Sequence, residues 1–221
     1  MSYWEFLAQN APRYLDGTLV TIAQFFLSAT LAILVALTAG LMKMSRNAAV
    51  RWTAGTYIEI FRGTSLLIQL YWIFFVLPLF GLTLDKFYAG FVAVGLNLGA
   101  YGAELVRGGI QSVPKGQWEA AYAISMSPAK RMYRIILPQA FLNMLPPWGN
   151  LMIELLKATA LVSLISVTDL MFEAKQINGS TFLSAQAFGT ALIIYYIIAR
   201  LIVTPFMRRL ERIMARKLGR A

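Results

Sequence analysis

Five apolar stretches, near residues 17–42, 57–77, 87–106, 148–167 and 185–206, occupy most of this chain. Each is long enough to cross a hydrocarbon core of roughly 30 Å, which takes about 20 helical residues. The first is too long for a removable signal peptide and lacks a small-residue cleavage pattern, so it reads as a retained helix. Hydrophobic residues make up 58% of the sequence and charged residues 14%, whereas soluble domains carry about a quarter charged. The expected fold is all-α: a polytopic membrane protein of about five transmembrane helices. A segment 1–16 precedes the bundle, the bundle spans 17–209, and a basic tail 210–221 follows.

The net charge of +10 has three possible meanings: nucleic acid, anionic lipid or orientation in a bilayer. Position decides among them. Lys43, Arg46 and Arg51 lie in the first connection, and Arg107, Lys115, Lys130, Arg131 and Arg134 in the third. The tail adds Arg208, Arg209, Arg212, Arg216, Lys217 and Arg220, which puts fourteen basic residues on one side. The other side has Arg13, Lys86 and Lys175. Because Lys and Arg accumulate in cytoplasmic loops, the amino terminus is expected outside and the carboxyl terminus inside, with no nucleic-acid partner.

Absences restrict the chemistry. The chain has no His and no Cys, so the usual zinc, haem, iron–sulfur and Cys- or His-based catalytic sites lack their ligands. No metal site, bound cofactor or catalytic residue is expected. There is no phosphate loop of the G-x-x-x-x-G-K-[ST] type, so energy input has to come from a partner.

Between the third and fourth spans lies an insert at 107–138. Its segment 117–125 is helical in composition but too short and polar to span. Ser127 and Pro128 read as an N-cap and first helical position, starting a second short helix that runs to about Leu137, before Pro138. Ala120, Ala121 and Ala123 leave the first helix little bulk, so a groove or another backbone can approach, and Glu119 offers a charge. On residues alone, a docking helix and an ordinary interfacial amphipathic helix are equally good readings.

The spacing Glu119-Ala120-Ala121, then Ser125, Ile135, Leu137 and Pro138, resembles the EAA motif of permease subunits of bacterial binding-protein-dependent ABC importers. That pattern has Gly where this chain has Ser125, and Ser makes a left-handed turn harder. The runs Tyr57-Ile58-Glu59-Ile60-Phe61-Arg62-Gly63-Thr64-Ser65, Ala100-Tyr101-Gly102-Ala103-Glu104 and Ser112-Val113-Pro114-Lys115-Gly116-Gln117 resemble the polar amino acid uptake branch, where Pro usually stands at the place of Ser65. The texture is also similar to permeases for ectoine-like or opine-like solutes. The resemblance implies a type I importer transmembrane subunit in a bacterial inner membrane, whose coupling helix seats in an ATP-binding subunit. It also implies a dimer of such ATPases carrying the ATP and Mg, a second permease subunit, an extracytoplasmic solute-binding protein and a small polar solute.

Gly95, Gly99 and Ala103 on the third span and Ala32, Ala36 and Gly40 on the first recur every four residues, which lets membrane helices pack backbone to backbone. Packing inside one subunit is the expectation for both stripes. Charged groups at membrane depth are functional candidates. Glu59 and Arg62, three apart, are expected to form a structural ion pair, and Arg200 to reach toward lipid phosphates. Glu154 and Lys157 lie near the middle of the fourth span. They offer one anionic and one cationic contact for a zwitterionic solute, or neutralise each other with no solute contact. Asn97 and Tyr101, four apart, share a face that adds hydrogen bonds to the same path. A bulky residue at Ala121 is expected to uncouple the ATPase while leaving the subunit inserted.

Two other classes compete. A passive channel explains polar residues in the third span but needs no docking insert. A membrane-embedded hydrolase needs a nucleophile–base pair, and none emerges from the sequence.

Overall fold

The computed structural model describes residues 2–217; Arg220 of the basic tail lies outside them. Among the described residues every regular element is helical. Helix α1 runs over Tyr3–Lys43, so the segment expected to precede the first span is itself helical from its third residue. A capping box starts it: the Ser2 hydroxyl accepts from the Glu5 N–H, and the Glu5 carboxylate accepts from the Ser2 N–H at 2.8 Å. At 41 residues, α1 is about 60 Å long, twice the hydrocarbon core.

The second apolar stretch is not one helix. Helix α2 (Ala48–Gly63) and α3 (Leu66–Tyr71, continued by a π turn at Trp72–Val76 and a 3-10 turn at Leu77–Phe80) diverge by 106°. Gly63, Thr64 and Ser65 are three poor helix formers in a row, and Thr64 is extended (φ −121°, ψ 156°). A break at membrane depth frees carbonyls that water cannot satisfy. Side chains supply the donors here. Asn97 Nδ2 donates to Phe61 O at 2.9 Å, Gln69 Nε2 donates to the same carbonyl at 3.0 Å, and Tyr101 OH donates to Arg62 O at 3.5 Å.

Helix α4 (Lys86–Gln111) is the central post. The two small-residue stripes face each other across α1 and α4 within the one chain. A side chain at Gly95 would collide with Leu31, at Gly99 with Val35, and at Gly40 with the Ala103 carbonyl. Gln24 Nε2 of α1 also donates to Phe87 O of α4 at 2.9 Å.

The insert holds α5 (Lys115–Ala123) and the short α6 (Pro128–Arg131). The second insert helix does not stop before Pro138. It continues as a π turn (Met132–Ile136) into α7 (Leu137–Thr159) and a 3-10 turn (Ala160–Ile165), making one rod over Pro128–Ile165. The fourth span is therefore the carboxyl-terminal part of a longer helix, and its regularity changes at Ala160.

Proline explains the wide turns. A proline lacks the N–H that would bond four residues back, and its ring crowds that carbonyl. Each π turn sits just before one: Leu77 N–H bonds to Trp72 O ahead of Pro78, Leu137 N–H to Met132 O ahead of Pro138, and Thr204 N–H to Ala199 O ahead of Pro205. Widening by one residue relieves the clash and keeps the helix running.

Beyond the rod, α8 (Leu170–Thr181) is a helix that hydropathy does not reveal. Asp169 caps it, accepting from Phe172 N–H at 2.9 Å. Then α9 (Ser184–Ile198), a π turn (Ala199–Val203) and α10 (Thr204–Lys217) form the last span and its extension. The amino-terminal end of α1 packs here: Phe6 and Tyr14 join Leu170, Ala174 and Ile177 in one cluster, and Arg13 pairs with Glu173 at 2.9 Å.

Candidate functional site

Two regions combine exposure with unusual chemistry. The first is the insert. Helix α5 ends in a Schellman motif: Met126 N–H bonds to Ala121 O at 3.1 Å and Ser125 N–H to Tyr122 O at 2.8 Å. Ser125 occupies the left-handed position of that motif (φ 54°), the conformation that glycine adopts at least cost. Glu119 and Ala120 face outward, whereas Ala121 is 3% exposed against its own chain. Ile135, Leu137 and Pro138 are half-buried, at the π turn that leads into α7. The expectation for Ala121 thus changes: bulk there disturbs the subunit's own packing, whereas Ala120 is open to the outside.

Sequence reasoning missed how α5 is held. The Arg131 side chain is buried, with its guanidinium 3.7 Å from the Tyr122 ring centre and 5.8 Å from that of Trp118. Trp118 and Tyr122 are four apart on α5, so they present one aromatic face to the rod. Gln139 Nε2 adds a bond to Gln117 Oε1 at 3.1 Å. Only the aromatic pair, four apart, was readable in sequence; Arg131 sits across the turn on the next helix, and no spacing announces its contact with them. Around the knob, Tyr122, Ile124 and Tyr133 are largely exposed, an apolar patch of the kind that marks a protein-docking surface.

The second region is one face of α7. Asn143, Pro147, Asn150, Glu154 and Lys157 are all exposed and recur at three- and four-residue intervals, whereas Leu151, Met152, Leu155 and Leu156 are buried. Lys157 Nζ donates to Glu154 Oε1 at 2.7 Å, with both side chains about 60% exposed. A polar stripe along a membrane-spanning helix has to face protein or a water-filled path, because in lipid each such group costs several kcal/mol. The two asparagines extend the predicted pair into this stripe.

Asn97 and Tyr101 do not meet that pair. Asn97 is 5% exposed, and both its amide hydrogens are engaged, by Phe61 O and by Gln69 Oε1 at 3.0 Å. It ties α4 to the elbow between α2 and α3. Tyr101 is 38% exposed, beneath the Arg62 guanidinium at 5.2 Å.

The expected Glu59–Arg62 ion pair is not formed. Arg62 turns to the Tyr101 ring, and Glu59 lines a polar cleft with Lys43, Arg51 and Trp52. Among the described residues the acidic centre of this end is Glu104, which accepts from Lys43 at 2.9 Å and from Arg107 at 2.6 Å. It locks the carboxyl-terminal end of α1 to α4.

A family model described as "Binding-protein-dependent transport system inner membrane component" matches residues 10–216. The chain is 46% identical over 186 residues to a probable amino-acid ABC transporter permease of Sinorhizobium fredii, covering 81% of this chain and 78% of the relative. It is 39% identical to the L-cystine transport system permease TcyB of Bacillus subtilis, covering 96% and 93% of the two chains. Among solved structures, the crystal structure of an amino acid ABC transporter with histidines superposes with a TM-score of 0.88 at 36% identity, over 96% of this chain and 98% of that one. The inward-facing MetNI methionine ABC transporter shares the fold, with a TM-score of 0.80 at 21% identity over 93% and 98% of the two chains.

Proposed function

Since this chain belongs to the binding-protein-dependent transport system inner membrane component family, the multi-pass permeases of ATP-driven importers, we propose a specific route and a specific lever for its solute. The subunit translocates a polar amino acid or an amino-acid-like solute, and a separate subunit hydrolyses the ATP. The solute path runs along the exposed face of α7, past Asn150, Glu154 and Lys157, whereas Tyr101, against Arg62, stays apart from it. The observation that carries this is the polar stripe itself: charges of both signs, exposed at membrane depth, on a helix whose other faces are apolar. A zwitterion has one group for each charge. Asn97 serves the path at one remove, by holding the elbow of the broken span.

Helix α5 docks on the ATP-binding subunit through Glu119, Ala120, Ile124 and Tyr122. The rod Pro128–Ile165 begins at that knob and carries Glu154 and Lys157 farther along, so it acts as a lever about 55 Å long. Closure of the ATPases around ATP and Mg displaces α5, the Arg131 clamp carries the displacement to the rod, and the path opens to the other side. The basic loops put the knob and the carboxyl terminus in the cytoplasm and the amino terminus outside. A solute-binding protein delivers the solute from that outer side to a permease pair.

The test is uptake of labelled amino acid into proteoliposomes holding the full importer, with and without ATP and the solute-binding protein. Uptake that needs both supports the scheme; uptake indifferent to ATP makes the chain a passive channel. Glu154→Gln and Lys157→Met that transport normally remove the proposed path.

A further inference from the structure

Among the described residues Arg131 is the one basic residue that is buried, at 7% exposed, and its Nε has no hydrogen-bond partner. No ion pair among those residues involves it. Its neighbours are the rings of Tyr122 and Trp118, which attract a cation but accept no ordinary hydrogen bond from its fork of five N–H groups. A desolvated guanidinium is best satisfied by a carboxylate or a phosphate, the two groups its fork matches with paired bonds. Position separates these two. Arg131 precedes Trp148, where the fourth apolar stretch begins, by seventeen residues, which is about 25 Å along the rod. The headgroup layer is only about 5–8 Å deep, so a lipid phosphate is out of reach and a protein carboxylate remains.

The surroundings say where that carboxylate comes from. Tyr122 is 60% exposed, so the guanidinium against its ring lies just beneath the docking face of α5. Between residues 115 and 134 the chain carries four basic residues, of which Lys115, Lys130 and Arg134 are exposed, against one acidic residue, Glu119. Such a knob complements an acidic receiving surface.

We propose that an Asp or Glu of the ATP-binding subunit pairs with Arg131 when α5 docks, so that this arginine is an interface residue as well as an internal clamp. The inference rests on the docking of α5 described under the proposed function. The carboxylate approaches past the edge of the Tyr122 ring and accepts from N–H groups that the ring leaves free. One side chain then touches the ATP-binding subunit, the aromatic face of α5 and the start of the rod, and a movement of the first reaches the last through it.

The test uses the full importer in nanodiscs with Arg131→Lys, which puts an amine in place of the guanidinium. A water-soluble carbodiimide joins an amine to a carboxylate in contact with it, with loss of one water, and peptide mass mapping locates the amide. The expected product joins position 131 to an Asp or Glu of the ATP-binding subunit. In parallel, Ala120→Cys carrying a benzophenone reports whether α5 docks at all. Benzophenone cross-linking to the ATP-binding subunit with no amide at position 131, or with an amide to Glu119 of this chain instead, overturns the pairing and leaves the docking intact. Absence of both products overturns the docking and the pairing with it. Should Arg131→Lys fail to assemble, Arg131→Gln supplies a second arm, because it strands the partner carboxylate without its cation. Selection for restored uptake should then return substitutions that neutralise one acidic residue of the ATP-binding subunit and recover most of an about tenfold loss of stimulated ATP hydrolysis. Restoring substitutions confined to this chain would overturn the pairing.

Discussion

The guanidinium of Arg131 lies 3.7 Å from the centre of the Tyr122 ring, which fastens the exposed helix α5 to the start of the rod that crosses the membrane. The arginine is 7% exposed, and its Nε has no hydrogen-bond partner. The aromatic faces of Tyr122 and Trp118 are thus a main compensation for its buried charge. A desolvated contact of this kind is worth about 2 kcal/mol.

Arg131→Gln should loosen α5 without preventing membrane insertion. Solute-stimulated ATP hydrolysis in proteoliposomes should fall by about tenfold, a factor that corresponds to roughly 1.4 kcal/mol. Full stimulation with the variant would show that the clamp does not transmit force.

Ser125 adopts φ 54° in the Schellman turn, which costs a residue with a Cβ roughly 1 kcal/mol relative to glycine. Ser125→Gly should therefore raise the resistance of the insert to limited proteolysis and preserve uptake. Ser125→Val, with a β-branched side chain, should do the reverse.

Glu154→Gln and Lys157→Met break an ion pair that is mostly exposed, and such pairs contribute about 0–1 kcal/mol. Thermal stability should hardly move. Uptake should drop by at least about tenfold, since removing one charged contact to the solute costs about 1.5–3 kcal/mol. A parallel loss of stability and transport would mean a structural role only.

Gly102 faces Ala36 Cβ and Trp148, each 2.7 Å from where its own Cβ would be. Gly102→Val should push α1 from α4 and destabilise the subunit by about 1–3 kcal/mol. The expected sign is a lower melting temperature of the purified complex, with Gly55→Val, which meets nothing within 4 Å, as the comparison.

Asp169 is buried in the connection between the fourth and fifth spans, and burial pushes its carboxyl up to about 6 from an ordinary 3.8, against hydrogen bonds from Phe172 N–H and Tyr195 OH. The native state therefore holds this proton more tightly than the unfolded one. Its stabilising effect is fully present below about pH 4 and is lost as pH rises through about 6. Asp169→Asn, which keeps an acceptor for the cap, should flatten the melting temperature across that interval; an unchanged pH profile would exclude Asp169 as its source.

Much of this protein is legible without coordinates. Apolar run length identifies a membrane-spanning helical chain, loop charge suggests its orientation, and the spacing from Glu119 to Pro138 resembles a coupling motif. The small-residue stripes were readable as close helix packing, because Gly and Ala at four-residue spacing let another backbone approach, and the contacts of Gly95 with Leu31 and Gly99 with Val35 place that packing within the chain, as expected. Hydropathy could not reveal that the second run breaks at Thr64, because the break survives only where Asn97, Gln69 and Tyr101 reach its freed carbonyls. Nor could it show Pro138 inside a continuous rod, which depends on the wide turn before it.

Sequence by itself determined the medium in which this chain folds, its helical class and the place of the insert between two spans, since these follow from local composition and spacing. Tertiary structure alone decided that Ala121 faces its own chain while Ala120 faces out, that Arg62 turns to Tyr101 instead of Glu59, and that Glu154 and Lys157 lie on an open face. The reason is that exposure and pairing are set by neighbours distant in sequence. A helix's own periodicity says which residues share a face, but not what that face meets.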